Sequence, residues 1–155
     1  MIMLVVGVDA TGKTTFCNKL SEKTGFPVIH MSYPKSEQEL NEMFDSYRAL
    51  FVSSNNFIMD RTFYCEMVYG PVMRNITGIS SEQRRALEEI LVSKGCIIYY
   101  CHDTAENIVE RFKTTGETHV KGIGQVQALL NGYERVLSTV LEIPVVSRPF
   151  GAEEA

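Results

Sequence analysis

Unbroken apolar runs alternate along this chain with stretches whose apolar positions recur every three or four residues. Ile2–Val8 is a continuous, β-branched-rich run, the pattern of a parallel strand covered on both faces. From Lys13 to Lys23 the period turns helical, with Phe16 and Leu20 four apart, and Gly25 and Pro27 end it. A short apolar stretch at 27–30 reads as a second strand. The segment 36–51 then places Leu40, Met43, Phe44 and Tyr47 on one helical face. Residues 55–60, "NNFIMD", read as a third strand ending on an aspartate, and a helix is expected from about Thr62, bent near Gly70-Pro71.

The second half repeats the alternation. Ser80 with Gln83 three residues on resembles a capping box, and Gly95 supplies a helix stop. "CIIYYCH" at 96–102 is a fourth strand, and Asp103 with Glu106 suggests a cap for the helix that follows. A polar loop is expected at 114–122, a last amphipathic helix from about Ile123 to Val140, and a closing strand at 143–146. Strand–helix alternation of this kind predicts a three-layer α/β fold with a five-stranded parallel sheet flanked by helices. Residues 1–148 read as a single domain with a short lid around 113–122, and residues 149–155 as a flexible tail.

Composition narrows the function classes. The 155 residues suit one domain with a core of its own, and the net charge of −4 gives no broad electrostatic footprint for nucleic acid or anionic membrane. The four cysteines, at 17, 65, 96 and 101, form no CxxC pair and have no clustered histidines, so metal-ligand spacing is absent and reduced, buried thiols are expected. The apolar start "MIMLVVGV" lacks a basic flank and is too short to span a bilayer, so a cytoplasmic chain is expected.

Chemistry enters at "GVDATGKTT". Gly7 to Thr14 satisfies GxxxxGK[ST], and it lies between a strand and a helix, where the motif works. Gly7 and Gly12 let successive N–H groups of Asp9, Ala10, Thr11 and Thr15 turn towards phosphate oxygens. Lys13 would reach the β- and γ-phosphates, and the Thr14 hydroxyl would take one Mg²⁺ position. Asp60, lifted to the carboxyl end of the third strand, can hold the hydration shell of the same ion. A P-loop NTPase fold using ATP and Mg²⁺ follows.

The acceptor side is read from "DRTFYCEMVYG", residues 60–70, together with the acid inside the loop at Asp9. These stretches resemble the thymidylate kinase family, whose P-loop often reads like GxDGxGKTT and whose third strand ends in an Asp-Arg pair before an aromatic helix. They also resemble the related deoxynucleoside kinases. The resemblance covers 2–20 and 57–70 well and the rest by element order. It departs in chain length, in the low arginine density of 114–122, and at Cys65, where many members carry serine. It implies that Arg61 contacts the acceptor phosphate and the transferring group, that Asp9 holds the 3′-hydroxyl of a deoxynucleotide, and that the protein forms a homodimer, through the apolar faces of helices 36–51 and 62–94.

A monophosphate acceptor brings extra negative charge to a triphosphate, so cations beyond Lys13 are needed, and Arg61, Arg111 and Arg74 are candidates. Arg111 falls on a different side of its helix from Ile108 and Phe112 and is placed at the phosphates or the adenine. For the acceptor base, Tyr33 in "SYPK" beside Lys35, and Tyr69, are preferred over Phe44, Tyr47, Phe63 and Tyr64. The expected activity is transfer to a deoxynucleoside monophosphate, dTMP or a related pyrimidine nucleotide. A hydroxyl acceptor (a deoxynucleoside or a modified nucleotide) would instead need a general base such as Asp9 or Asp60. A P-loop ATPase switch is the alternative of another class, and no NKxD motif supports GTPase use.

Overall fold

The computed structural model describes residues 1–76, 78–115 and 122–152. Five parallel strands form one sheet in the order β2-β3-β1-β4-β5. They are β1 (Ile2–Val6), β2 (Val28–His30), β3 (Phe57–Asp60), β4 (Cys96–His102) and β5 (Val145–Pro149). Among the described residues, six α-helices lie between them: α1 (Lys13–Thr24), α2 (Glu37–Ser53), α3 (Phe63–Tyr69), α4 (Ser81–Lys94), α5 (Ala105–Thr115) and α6 (Ile123–Leu137).

The continuous apolar runs are explained by the two covered faces of the sheet. Alternate residues point to opposite sides. Leu4, Met59 and Ile98 join the larger core with Phe51, Phe63, Leu87 and Tyr133 from the helices. Val5, Ile58 and Cys101 point the other way, onto Phe16, Cys17 and Leu20 of α1. Strand β1 sits centrally, with Val5 opposite Asp60 of β3 and Tyr99 of β4. The carboxyl ends of β1 and β3 therefore lie side by side, and the loops leaving them share one edge of the sheet.

Local signals place most boundaries within a few residues. The capping box forms as expected: Gln83 N–H donates to the Ser80 hydroxyl at 3.1 Å and Ser80 N–H to Gln83 Oε1 at 3.0 Å. The expected Asp103 cap is instead made by its neighbour. Asn107 N–H donates to the Thr104 hydroxyl at 3.2 Å, which frees the Asp103 carboxylate for an arginine. The bend near Gly70-Pro71 is a π-helical turn, Gly70–Arg74, that continues α3. Pro71 stands at its start, where a missing N–H does least harm.

At the carboxyl end, β5 extends to Pro149, and Phe150 N–H donates to the His102 carbonyl at 2.8 Å. Residues 149–152 are thus held against the sheet, while 153–155 lie outside the described residues. So does most of the expected lid: Lys113 and Thr114 belong to α5 and Gly122 caps α6, but 116–121 are not described. On the helices whose apolar faces were expected to join two subunits, Met43, Tyr47 and Phe51 of α2 and Leu87 and Leu91 of α4 are packed in the core. Among the described residues, no helix is long and apolar enough to cross a membrane.

Candidate active site

The loop between β1 and α1 is shaped by two backbone requirements. Gly7 has φ +145°, and a Cβ there would lie 2.1 Å from the Cys101 carbonyl oxygen of the neighbouring strand. Gly12, at φ +83°, begins α1 in the left-handed region. Ala10 shares that region at φ +64°. The loop curls around its own donors, and two buried tyrosines brace it. The Tyr133 hydroxyl donates to the Gly7 carbonyl at 3.0 Å, and the Asp9 N–H donates to the Tyr69 hydroxyl at 3.2 Å. Lys13, only 7% exposed, donates to the same Gly7 carbonyl at 2.7 Å. The cavity over this loop, about 270 Å³, is lined by Gly12, Lys13, Thr14, Thr15, Asp60 and Arg61 together with Asp9 and Ala10.

Asp60 closes the Thr14 side of this cavity. Its Oδ2 accepts from the Thr14 hydroxyl at 3.1 Å and lies 3.2 Å from His30 Nδ1. A hydroxyl and a carboxylate oxygen this close, at the mouth of a phosphate cradle, form a hard oxygen donor set that fits Mg²⁺.

Arg61 is the pivot between the cradle and a second cavity. The residue is held at φ +69°, a strained conformation for a non-glycine, as the chain turns from β3 into α3. The turn directs its guanidinium back to the loop, where Nη2 donates to Asp9 Oδ1 at 2.5 Å. Asp9 Oδ1 also lies 3.4 Å from Lys13 Nζ, so one carboxylate bridges both cations. Burial opposes the Arg61 charge, but Asp9 and Tyr33 outweigh it and hold its pKa above the ordinary arginine value. Arg61 Nη1 and the Tyr33 hydroxyl are each buried without a hydrogen-bond partner among the described residues.

The second cavity, about 350 Å³, opens between the loop after β2, α2 and the start of α3, and Arg61 lines it as well. Tyr33 lines it too, but its ring is covered by Arg61, 4.1 Å from the centroid, and flanked by Arg74 at 5.1 Å and the Tyr69 ring at 5.3 Å. Tyr33 is therefore placed to orient two guanidiniums. Tyr69 is buried beneath the P-loop, Arg74 is paired to Glu66, and Lys35 is exposed beside Glu39; none of the three lines the cavity. Tyr47, Met43 and Glu66 do.

On the other flank Arg111 of α5 reaches the P-loop. Its Nε donates to the Ala10 carbonyl at 2.6 Å, and its Nη2 lies 2.8 Å from Asp103 Oδ2. Its guanidinium also lies over the Phe150 ring, 3.8 Å from the centroid. That ring, Gly12 and Thr15 border a further cavity of about 220 Å³.

The structure brings together Asp9, Lys13, Thr14, Asp60, Arg61 and Arg111 around one loop. The sequence pattern gave no site role to Tyr133, His30, Glu66 or Phe150, and read Asp103 only as a helix cap. Only Tyr133 carried a usable signal, as a large polar-tipped aromatic on the apolar face of α6 that needs a buried partner for its hydroxyl.

No family model matches the sequence. The chain is similar to the SPbeta prophage-derived uncharacterized protein YorR of Bacillus subtilis (strain 168), 25% identical over 138 residues, covering 88% of this chain and 82% of that protein. The crystal structure of YorR in complex with phosphorylated GDP superposes with a TM-score of 0.83 at 22% identity, over 97% of this chain and 86% of that one. Deoxyadenosine kinase from M. mycoides with bound dATP gives 0.63 at 15% identity, over 99% and 93%. Thymidylate kinase from Candida albicans gives 0.62 at 16% identity, over 98% and 84%. The chain shares its fold with these three structures.

Proposed function

We propose that this protein transfers the γ-phosphoryl group of ATP to a deoxynucleoside monophosphate. The observation that carries the reading is Arg61, which lines both the phosphate cradle and the adjoining cavity and is held by the P-loop acid Asp9. A cation in that position can bind an acceptor phosphate and the migrating phosphoryl group together. The names of the structural neighbours, a deoxyadenosine kinase and a thymidylate kinase, are consistent with a nucleotide-directed reaction.

In this mechanism Lys13 leaves the Gly7 carbonyl for the β- and γ-phosphate oxygens, while the loop N–H groups hold the remaining oxygens. Thr14 and Asp60 would hold Mg²⁺, which when bound neutralises charge on the β- and γ-phosphates. Arg61 exchanges Asp9 for the incoming phosphate, and Asp9 is released to accept from the 3′-hydroxyl of the sugar. An acceptor phosphate oxygen, ionised at neutral pH, forms the new bond to the γ-phosphorus as the bond to ADP breaks. No general base is required. A hydroxyl acceptor would need one. Arg111, braced by Asp103, lies against the donor side.

ADP release in the presence of Mg²⁺, measured over a panel of nucleoside monophosphates and nucleosides, tests the reading. Release that depends on a monophosphate is expected. Turnover with nucleosides alone, or hydrolysis indifferent to any acceptor, overturns it.

A further inference from the structure

We infer that the acceptor cavity is built for a nucleobase with an exocyclic amino group, held by the Glu66 carboxylate and the Tyr47 hydroxyl, in preference to its oxo counterpart. The inference rests on the acceptor reading above and names the base that reading leaves open.

Two largely buried polar residues line the cavity and can take hydrogen bonds from a ligand. Glu66, on α3, is 4% exposed and lines the cavity. Its Oε1 accepts from Arg74 Nη2, and its Oε2 has no hydrogen-bond partner among the described residues. The pair is built into the backbone. The π-helical turn brings Arg74 back over α3, and Gly70 makes room: a Cβ there would lie 2.6 Å from the Ile76 carbonyl oxygen and 3.3 Å from Glu66 Oε1. Tyr47, on α2, is 5% exposed and lines the same cavity, and its hydroxyl also has no hydrogen-bond partner among the described residues. Burial, with the Glu66 charge adding to it, pushes the Tyr47 phenol up, so it remains a proton donor at neutral pH. A ligand in the cavity that offers Glu66 a donor and Tyr47 an acceptor gains a hydrogen bond at each.

The charge layout gives the ligand a direction. Arg61, the only arginine or lysine lining the cavity among the described residues, stands at the cradle, whereas Glu66 and the rim residues Glu39 and Glu42 supply carboxylates. A phosphate belongs at Arg61, and the other part of the molecule must offer N–H donors. An amino group donates to Glu66 Oε2, and the neighbouring ring nitrogen or carbonyl accepts from the Tyr47 hydroxyl. Cytosine, adenine and guanine carry such a group. Thymine or uracil in that pose sets a carbonyl oxygen against a buried carboxylate, leaving two acceptors face to face. The pyrimidine expectation from the sequence is thereby narrowed to cytosine and widened to the amino purines.

Two ligand pairs differ by one amino-to-oxo exchange: dCMP with dUMP, and dAMP with deoxyinosine monophosphate. Calorimetric binding to the whole chain without ATP is expected to favour the amino member of each pair by roughly tenfold or more. Glu66→Gln, whose amide can donate to an oxo group, is expected to reduce that ratio by roughly tenfold. Tyr47→Phe keeps the ring and is expected to weaken dCMP binding about fivefold while leaving ATP affinity unchanged. The second variant carries the residue-level test if Glu66→Gln fails to fold. A wild-type ratio near one, a preference for the oxo members, or an unchanged ratio in both folded variants overturns the inference. Amino preference in binding without transfer to any acceptor upholds it and sinks the kinase reading. Transfer that favours dUMP or dTMP does the reverse, and no binding by any acceptor defeats both.

Discussion

Asp9 Oδ1 sits between two cations, 2.5 Å from Arg61 Nη2 and 3.4 Å from Lys13 Nζ. The acid in the loop, which phosphate binding does not require, thus holds Arg61 in register with Lys13. Arg61→Ala is expected to lower transfer to a monophosphate by about 10³-fold. ATP affinity should change less than roughly threefold, because Lys13 and the loop N–H groups are untouched. Steady-state kinetics and nucleotide titration together check this. Turnover within a few-fold of wild type removes Arg61 from the acceptor clamp.

The approach of the P-loop to β4 makes a second prediction. A Cβ on Gly7 would lie 2.1 Å from the Cys101 carbonyl oxygen, at a φ of +145° that side chains avoid. Gly7→Ala therefore has to move a central strand or the loop. A loss of about 3 kcal/mol or more is expected, together with loss of ATP binding. Gly25→Ala is the control, since its φ of +74° is also positive but nothing lies within 4 Å of the added carbon. Only the conformational cost of about 1 kcal/mol should appear there. Urea denaturation of both variants separates steric clash from backbone strain.

The sequence made the cradle legible because each part of it is local. Gly7, Gly12, Lys13 and Thr14 lie within eight positions, and the strand and helix around them have clear periods. Asp60 was readable for a similar reason, as a charged residue closing an apolar strand. What periodicity could not give was direction across the fold. Tyr33 and Tyr69 look like stacking platforms in sequence, but one lies under Arg61 and the other is fixed to the P-loop backbone. The cap beginning α5 was misread because Asp103 and Thr104 are both good capping residues. Only the presence of Arg111, eight positions on from Asp103, decides which of them is drawn away. Glu66 reads as an ordinary helix acid until the π-helical turn returns Arg74 to it.

Asp103 gives a pH-dependent prediction. Burial raises its pKa, but the Asn107 side chain, the Thr104 N–H and Arg111 outweigh burial and lower it below the ordinary aspartate value. A depressed carboxylate stabilises the fold above its unfolded pKa of about 3.9 and loses that contribution as the pH falls through the lower folded value. Asp103→Asn, which cannot hold Arg111 as an ion pair, is expected to cost on the order of 1 kcal/mol at pH 7. The difference from wild type should stay level down to about pH 5 and shrink below about pH 4. Chemical denaturation across that range measures it. A gap that widens with acid contradicts the assignment.

Thr14 and Asp60 are expected to act through the metal. Their oxygens are 3.1 Å apart at the end of the cradle, and neither is needed by the loop N–H groups that bind phosphate. Thr14→Val and Asp60→Asn should each weaken nucleotide binding in the presence of Mg²⁺ by roughly tenfold. With the metal chelated by EDTA, wild type and variants should bind within about threefold of one another. Asp60→Asn keeps an oxygen for the Thr14 hydroxyl and His30, so a fall in thermal stability should be small beside the loss of metal dependence. Equal weakening with and without Mg²⁺ would mean that the pair supports the P-loop itself, and the metal would then have to be held elsewhere.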